Sequence, residues 1–286
     1  MRTAREWAEM IKLEHTVFAL PFALSGLLLS VSTLPAWSVV GWTFLAFTGA
    51  RAAAMTLNRV IDAEIDRKNP RTSMRQIPAG KISRAQALSF AVASFALMLF
   101  AASKLPAICL LLSPIAVIVL SAYSFTKRFT WLCHIVLGIA IGGAALGGWV
   151  AASGAITGVA PWLLMLAVAT WVAGFDIIYA CQDVEFDRST ALHSMPAKFG
   201  VARALTISKS LHVVTVVALM SLGAALNLGP VFFVGAAMVA GMLVYEHSLV
   251  KPNDLSKVNA AFFTVNGVVS IAAFITFLAD KLVRLH

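Results

Sequence analysis

Two adjacent apolar stretches decide the fold class: AQALSFAVASFALMLFAASK covers residues 85–104, and PAICLLLSPIAVIVLSAYSF covers residues 106–125. An α-helix needs about 20 apolar residues to cross the hydrocarbon core of a bilayer, and each stretch has that length. The whole chain has the same character, since 60% of its 286 residues are apolar and only 12% are charged. Soluble domains are about half apolar and about a quarter charged. The sequence therefore predicts an integral membrane protein and excludes an ordinary soluble fold.

Hydropathy, interrupted by loop residues, indicates nine candidate spans along the chain. Their approximate ranges are 16–34, 38–57, 85–104, 106–125, 131–151, 160–180, 203–226, 228–249 and 257–279. We therefore expect an all-α integral membrane protein with about nine transmembrane helices around a central cavity. Residues 1–286 are expected to form a single domain, because nine spans leave no room for a separate soluble one. No small-residue cleavage motif follows the first apolar run, so we expect that run to remain as the first helix.

Charged residues are distributed unequally between the two sets of loops. Of the 22 Lys and Arg residues, 19 lie on, or on spans nearest, the side that carries the N-terminal arm and segments 58–84, 126–130, 181–202 and 250–256. Positive residues collect in cytoplasmic loops, so we expect a multi-pass inner-membrane protein whose N-terminus and cavity opening are cytoplasmic. The net charge of +9 is then a topology signal and does not indicate nucleic acid as a partner. Of the 13 acidic residues, 12 share this side, although acidic residues barely affect orientation.

The first acidic group lies at the end of the second predicted span and consists of Asn58, Asp62 and Asp66. On a helix these i, i+4 and i+8 positions lie within about 80° of one another, so three oxygen-bearing side chains share one face. The second acidic group follows the sixth span and consists of Asp176, Asp183 and Asp187. If the helix continues through it, these carboxylates lie within about 40° of one another. The two segments thus predict two oxygen-rich faces, and Tyr179 lies close to the second.

Stacked carboxylates repel one another and slightly destabilise a helix, unless a cation is bound between them. Magnesium requires oxygen ligands and is typically held by one or two carboxylates together with the phosphates of a substrate. Basic residues surround the two acidic groups, namely Arg67, Arg71, Arg75, Lys127 and Arg128. The alternative is that each D-x-x-x-D motif is a set of solvated charges at a helix end. Two copies at equivalent helix ends on one side favour a magnesium-bridged diphosphate.

Arg51 interrupts the second span on nearly the same face as the first acidic group. An ionisable residue inside a span indicates a functional site by default. We expect Arg51 to line a polar cavity and to pair with Asp62, Asp176 or a substrate carboxylate, the alternative being a structural ion pair. Lys12 and His15 lie one turn apart at the mouth of the first span. We expect them to contact substrate, with an interfacial anchor as the alternative for Lys12.

Other polar and small residues in the spans have simpler interpretations. A zinc site requires three or four converging ligands. Histidines without mutual spacing are therefore interpreted as helix-packing or interfacial residues, namely His134, His212 and His247. A run of small residues indicates close helix contact rather than a phosphate loop. This run consists of Gly138, Gly142, Gly143, Gly147 and Gly148.

Four motifs, in order and over nearly the whole chain, resemble the UbiA family of membrane prenyltransferases. Residues 51–58, RAAAMTLN, look like the family's M-R-x-A-G-C-x-x-N stretch, and residues 58–75 follow its N-x-x-x-D-x-x-x-D-R…R-T-x-x-R pattern. Residues 123–130, YSFTKRFT, are similar to Y-x-x-x-K-R-x-T, and residues 176–187 match D-x-x-Y-A-x-x-D-x-x-x-D. Within the family, the chain most resembles the 4-hydroxybenzoate polyprenyltransferases and close relatives in quinone biosynthesis.

The resemblance implies magnesium-dependent transfer of a polyprenyl chain from an allylic diphosphate to a small aromatic acid in ubiquinone or menaquinone biosynthesis. It implies that Mg²⁺ is held by Asn58, Asp62, Asp66, Asp183 and Asp187. It implies that substrates are bound by Lys12, His15, Arg51, Asn58, Arg67, Arg71, Tyr123, Lys127 and Arg128. Asp176 or Tyr179 is expected to position the hydroxyl group of the acceptor. The residues expected to be catalytic are these two and the carboxylates Asp62, Asp66, Asp183 and Asp187.

Departures from the family pattern leave the acceptor open. Arg59 stands where quinone members usually carry Asp, His134 stands where many have Gln, and His193–Ser194 replace a common Lys-Ser pair. The opening KLEH at residues 12–15 also differs from R-L-D-K. These changes leave the predicted diphosphate site intact. With these residues the chain resembles a branch of the family associated with menaquinone made through futalosine. For that branch the expected acceptor is a carboxylated naphthol.

A membrane transporter is the alternative from another functional class, because ionisable residues in spans also mark ion pathways. Transporters place their sites near the bilayer midplane, whereas the charges of this chain lie at one face. The expected partners are therefore the lipid bilayer, a polyprenyl diphosphate and a small aromatic acceptor, without nucleic acid, and the oligomeric state is left open.

Overall fold

The computed structural model describes residues 2–12 and 16–285, which are mostly helical. These ranges contain the helices α1 (Arg2–Met10), α2 (Thr16–Leu29), α3 (Trp37–Ile61), α4 (Ala63–Lys68), α5 (Arg84–Ala102), α6 (Ala107–Ala122), α7 (Cys133–Ser153), α8 (Ala160–Ala180), α9 (Val184–Ser189), α10 (Met195–Phe199), α11 (Val201–Ala225), α12 (Pro230–Ser248) and α13 (Asn266–Leu285). Between these helices lie two 3₁₀ turns, at Tyr123–Arg128 and Cys181–Asp183, and one π-helical turn, at Ala260–Val265. Over the same ranges there is no β-strand beyond an isolated bridge.

The predicted fold class, an all-α integral membrane protein, is confirmed, while the number of spans is not. Each of the nine predicted spans overlaps a helix, but only seven helices in the described ranges are long and apolar enough to cross a membrane. Helix α2 has 14 residues, which is about 21 Å at 1.5 Å per residue and shorter than the hydrocarbon core. Helix α3 has 25 residues, but Arg51 in its second half lowers its hydropathy. The count of nine therefore stays a prediction.

Glycines set the distance between the central helices. A Cβ atom at Gly148 of α7 would lie 1.9 Å from the carbonyl oxygen of Ala23 in α2, and one at Gly138 would lie 2.2 Å from the oxygen of Ala169 in α8. Gly142 of α7 also faces α8 closely. The predicted close helix contact is thus confirmed at these three positions. Nothing would lie within 4 Å of a Cβ at Gly143 or Gly147, the other two members of the run, and both line a cavity instead.

Both acidic groups lie where a long helix gives way to a short one. Helix α3 ends at Ile61 and α4 begins at Ala63, yet the amide of Asp62 still bonds the carbonyl of Asn58 at 2.9 Å and that of Asp66 bonds Asp62 at 2.7 Å. The i, i+4 register of the first acidic group is therefore kept. The second segment differs from the expected continuous helix, because a 3₁₀ turn separates α8 from α9. Such a turn has about three residues per turn, so it rotates Asp183 relative to an α-helical stripe.

The glycine contact between α2 and α7 gives a direct test of this packing. Gly148→Ala places a methyl group against backbone that cannot move independently, so we expect the free energy of unfolding to fall by about 1–3 kcal/mol. Thermal unfolding of the detergent-solubilised protein measures the change. Gly147→Ala is the matched control, because its methyl group meets open space and alanine favours the helix. Equal melting temperatures for the two variants would contradict the packing described.

Candidate active site

The two acidic groups lie around one cavity of about 360 Å³. Helices α3, α4, α8 and α9, the loop after α4 and the 3₁₀ turn Tyr123–Arg128 all contribute to its wall. Twelve of the fifteen predicted site residues line it: Lys12, Arg51, Asn58, Asp62, Asp66, Arg71, Tyr123, Lys127, Asp176, Tyr179, Asp183 and Asp187. His15 lies outside the described residues. The folding of the chain therefore brings together two segments that are more than 100 residues apart in sequence.

Asp62 is the most buried carboxylate of the first acidic group, with 1% of its surface exposed. Its Oδ2 accepts hydrogen bonds from Lys127 Nζ at 2.7 Å and from the amide of Asn58 at 3.0 Å. Its Oδ1 is buried and has no hydrogen-bond donor among the described residues, and a guanidinium nitrogen of Arg128 lies 3.9 Å away. Burial raises the pKa of Asp62 by disfavouring the charged form, although the positive charge of Lys127 opposes this. The geometry leaves this oxygen available to a further donor or cation.

Asp66 pairs with Arg75, not with its sequence neighbour Arg67. Nη1 of Arg75 lies 2.7 and 2.8 Å from the two carboxylate oxygens of Asp66. Arg67 is exposed, lies outside the cavity lining and pairs with Glu64 at 3.3 Å. It follows Asp66 by one position, about 100° around α4, and so faces away from the cavity. The structure thus places Arg75 where the sequence suggested Arg67.

Arg71 connects the two acidic groups. Its Nε donates to Asp183 Oδ1 at 3.0 Å, its Nη2 donates to Asp183 Oδ2, and its Nη1 donates to the Tyr179 hydroxyl at 2.9 Å. Asn69 also donates to Asp183, at 3.2 Å. Burial lowers the pKa of Arg71, but the hydrogen bond and charge of Asp183 outweigh this and the net shift is upward. The loop that follows the first acidic group therefore holds the second.

The remaining two carboxylates have partners near α10. Asp187 accepts a hydrogen bond from Ser194 Oγ at 2.6 Å. Asp176 lies 2.6 Å from Nδ1 of His134. The backbone amide of Met195 donates to Nε2 of His134 at 3.3 Å, so Nε2 is the acceptor nitrogen and Nδ1 carries the proton given to Asp176. His134 is thus a cavity residue rather than a helix-packing one, which its sequence spacing did not indicate.

A second cavity, of about 390 Å³ and almost wholly apolar in its lining, adjoins the first. The two share six lining residues, namely Ala19, Arg51, Met55, Tyr123, Leu137 and Ile141. Arg51 is the charged residue at this junction, and its guanidinium donates to the backbone oxygen of Lys12 at 3.4 Å. The Tyr123 hydroxyl donates weakly to Ala54 at 3.5 Å. A charged compartment therefore meets an apolar compartment at Arg51 and Tyr123.

Among the described residues, Arg128 is, besides Arg67, the other predicted one that does not line the polar cavity. Its guanidinium donates to the carbonyl of Ile61 at 2.6 Å, beside Asp62. Arg59 and Asn69, in contrast, line the cavity without having been predicted. Arg59 is 5% exposed and its Nε reaches the carbonyl of Met10 at 3.4 Å. Its place one residue after Asn58 gave no signal for this role.

The donor set fits a magnesium ion that binds together with a phosphate ligand. In the part of the chain that the structure describes, no three His, Cys, Asp or Glu side chains stand ready as a metal site. The carboxylates of Asp62, Asp66 and Asp183 are instead held by basic residues. Magnesium requires few protein carboxylates when phosphate oxygens complete its coordination. The carboxylate and amide oxygens around the cavity, with the unbonded Oδ1 of Asp62, are suitable ligands for such a shared site.

Known proteins resemble this chain over nearly its whole length. A model of the UbiA prenyltransferase family matches residues 19–268. A 4-hydroxybenzoate octaprenyltransferase of Aliivibrio fischeri strain MJ11 is 32% identical over 278 residues, which cover 95% of this chain and 92% of that protein. The enzyme of the same name from Vibrio parahaemolyticus is 28% identical over 277 residues, covering 96% and 93% of the two chains.

Solved structures share the fold. A UbiA homolog from Aeropyrum pernix K1, in its apo form, superposes with a TM-score of 0.82 at 33% identity and covers 96% of this chain and 98% of its own. A UbiA homolog from Archaeoglobus fulgidus, bound to DMAPP and Mg²⁺, superposes with a TM-score of 0.73 at 21% identity over 97% and 99% of the two chains. The chain therefore belongs to the UbiA prenyltransferase family, and it is a multi-pass membrane enzyme of that family.

Proposed function

We propose that this enzyme transfers a polyprenyl chain from an allylic diphosphate to 4-hydroxybenzoate or a similar aromatic acid, with Mg²⁺ as cofactor. The names of the bacterial relatives support the acceptor, and the Archaeoglobus homolog with DMAPP and Mg²⁺ supports the donor and the metal. One observation carries the proposal: a charged cavity and an apolar cavity meet at Arg51 and Tyr123. A polyprenyl diphosphate likewise consists of a charged diphosphate group and an apolar chain. The excess of Lys and Arg at the acidic end supports a cytoplasmic site in the inner membrane.

Diphosphate binding is an exchange of ionic partners in this proposal. Lys127, Arg75 and Arg71 each hold one carboxylate in the structure described. A diphosphate offers these side chains phosphate oxygens of higher charge density, and charge-assisted bonds to them are strong. Asp62, Asp66 and Asp183 are then released as oxygen ligands. Substrate and metal therefore bind together, because the diphosphate frees the carboxylates that the metal requires and the metal frees the basic residues that the diphosphate requires.

Transfer then breaks the allylic C–O bond, and the diphosphate leaves with the electron pair. Magnesium, when bound, supplies positive charge that stabilises this leaving group. Lys127, Arg71 and Arg75 supply further positive charge at the same place. The ring carbon ortho to the acceptor hydroxyl forms the new C–C bond and releases its proton. The apolar lining of the adjoining cavity keeps water from the allylic cation.

The acceptor is proposed to lie between Arg51 and Asp176. Arg51 is positioned to pair with its carboxylate, and the hydrogen-bonded Asp176–His134 pair and Tyr179 offer polar contacts to its hydroxyl. A carboxylated naphthol presents the same two groups on a larger ring. The shared chemistry is therefore a ring that carries one carboxylate and one hydroxyl group.

A direct experiment tests the proposal as a whole. Membranes containing the protein are incubated with Mg²⁺, a labelled polyprenyl diphosphate and a panel of aromatic acids, and products are identified by mass. We expect the adduct of 4-hydroxybenzoate and release of pyrophosphate. An adduct with a carboxylated naphthol alone would replace the proposed acceptor. No adduct with any acid, or ion flux in proteoliposomes without pyrophosphate release, would overturn the proposal.

The carboxylates give a sharper prediction. Asp62→Asn and Asp183→Asn each remove one negative ligand while keeping the side-chain size, so we expect transfer to fall by at least about 100-fold. The rate of adduct formation in magnesium-supplemented membranes measures this. Glu64→Gln is the matched control, since Glu64 pairs with Arg67 outside the cavity and its variant should retain wild-type turnover. Wild-type turnover in both Asp variants, with the protein folded by size-exclusion chromatography, would remove these residues from the mechanism.

The apolar cavity gives a prediction about chain length. Gly143 lines this cavity, and a Cβ atom at this position would meet nothing within 4 Å. Gly143→Leu should fill part of the cavity and lower kcat/KM roughly tenfold for a long polyprenyl diphosphate relative to geranyl diphosphate. Gly241→Leu is the control, because it also meets nothing within 4 Å but lines neither cavity. An unchanged ratio in the Gly143 variant would place the chain elsewhere.

A further inference from the structure

An aromatic wall closes one side of the polar cavity and consists of Trp171, Phe175 and Tyr179 on α8 with Phe262 from the π-helical turn. Neighbouring rings are in contact: centroids lie 5.0 Å apart for Trp171–Phe175, 5.2 Å for Phe175–Phe262 and 4.2 Å for Tyr179–Phe262. The first two pairs are T-shaped, an arrangement that aromatic rings favour. The charged side of the cavity is thus faced by a surface that suits a flat ring.

Asn266 bonds the aromatic wall at two places. Its Oδ1 accepts a hydrogen bond from Trp171 Nε1 at 2.7 Å. Its Nδ2 donates to the carbonyl of Ala261 at 3.0 Å and to that of Phe262 at 3.3 Å, both in the π-helical turn. An indole N–H only donates, so the amide oxygen must face Trp171 and the amide nitrogen must face the turn. One completely buried side chain therefore fixes the indole and the backbone that carries Phe262.

Glu246 fixes the orientation of Asn266. Its Oε1 accepts a hydrogen bond from Asn266 Nδ2 at 2.8 Å, and the side chain is completely buried within the helices. Its Oε2 has no hydrogen-bond donor in the described part of the chain, and His212 Nδ1 lies 3.7 Å away. A buried acid with one unsatisfied oxygen costs stability, and acids inside membranes mark function by default. The residue also lies outside both cavities. Structural stabilisation alone does not account for Glu246.

We infer that Asn266, oriented by Glu246, is a positioning residue that holds the aromatic wall in the shape that receives the ring of the acceptor. The inference rests on the proposed function and specifies its acceptor site. The π-helical turn is the element that makes this control necessary. Such turns widen the helix and free carbonyl groups, and they occur frequently at functional sites. Asn266 bonds two carbonyls of this turn and thereby sets the distance of Phe262 from Tyr179.

Three variants of the full-length protein test the inference, with KM for each substrate measured separately. Asn266→Leu removes every hydrogen bond that residue 266 makes to the wall and should raise KM for the aromatic acceptor about tenfold, without changing KM for the polyprenyl diphosphate. Glu246→Leu leaves Asn266 bonded to Trp171 and should raise the same KM about threefold. Glu246→Gln retains an acceptor oxygen for Asn266 and should remain within about twofold of wild type. These sizes follow from the loss of one or more buried hydrogen bonds.

Melting temperatures distinguish a positioning role of Glu246 and Asn266 from a purely structural one. Glu246→Leu replaces an acid with one unsatisfied oxygen, so its melting temperature should be equal to or above that of wild type while its acceptor KM rises. Thr215→Val is the matched control, since it removes the buried Thr170–Thr215 hydrogen bond of 2.8 Å, which does not hold the wall. It should lower the melting temperature and leave both KM values unchanged.

Two results would overturn the inference: an unchanged acceptor KM in folded Asn266→Leu, or an equal rise in KM for both substrates. If wild type forms no adduct, the proposed function fails separately. Equilibrium binding of 4-hydroxybenzoate then decides the inference. Weaker binding by Asn266→Leu than by wild type supports it, and equal or absent binding overturns it.

Discussion

Ion pairs between residues distant in sequence are the constraint on which the site depends. The pair of Arg71 with Asp183 joins positions 112 residues apart, and that of Lys127 with Asp62 joins positions 65 apart. Carboxylates taken from water need a positive partner, because burial disfavours their charge. Arg71 and Lys127 satisfy this need for Asp183 and Asp62. They also bring the ends of α3 and α8 to one cavity, although helix packing supplies the stability of the fold.

The same pairs explain how a charged site is compatible with binding a highly charged substrate. A fixed bridge between well-buried ions is difficult to open, whereas Arg71 and Arg75 are about one-third and one-quarter exposed. Because water reaches these two guanidinium groups, their charge stays partly solvated while they exchange one partner for another. Asp62 and Asp66 are both buried, but Asp62 differs because one of its oxygens has no hydrogen-bond donor among the described residues. It is the carboxylate that gains most from a new cation, and this makes it the centre of the proposed site.

Much of the site followed from sequence because helical register relates nearby residues. Asn58, Asp62 and Asp66 share a face through i, i+4 spacing, and the backbone keeps this register across the break between α3 and α4. The geometry of the second acidic group was harder to predict, since no residue type indicates the 3₁₀ turn at Cys181–Asp183. Contacts between distant segments had no local signal at all.

Contacts made across loops and between helices show this limit. Arg75 reaches back to Asp66 through a loop, and His134 meets Asp176 from a helix that begins 43 residues earlier. Arg67 stands beside Asp66 in sequence, yet adjacent helical positions diverge by about 100° and it points to solvent. The count of nine spans stays a prediction, because hydropathy scores a polar cavity residue such as Arg51 as though it faced lipid, and α3 is therefore not among the seven described helices that qualify as spans. A charged residue in a functional cavity thus lowers the mean hydropathy of the helix that carries it.

The arrangement of the two cavities relates the position of Arg51 to its proposed role. A guanidinium inside a membrane helix is expensive unless water, an anion or a backbone oxygen receives it. Arg51 meets the backbone oxygen of Lys12 and lies where the charged cavity opens into the apolar one. The proposed reactants have three chemically distinct parts: a diphosphate, an apolar chain, and a ring with a carboxylate. The acidic and basic residues suit the diphosphate, and the apolar cavity suits the chain. Arg51 and the aromatic wall suit the ring with its carboxylate. The allylic carbon, where chain and diphosphate meet, is then proposed to lie among the residues that line both cavities, beside Arg51 and Tyr123.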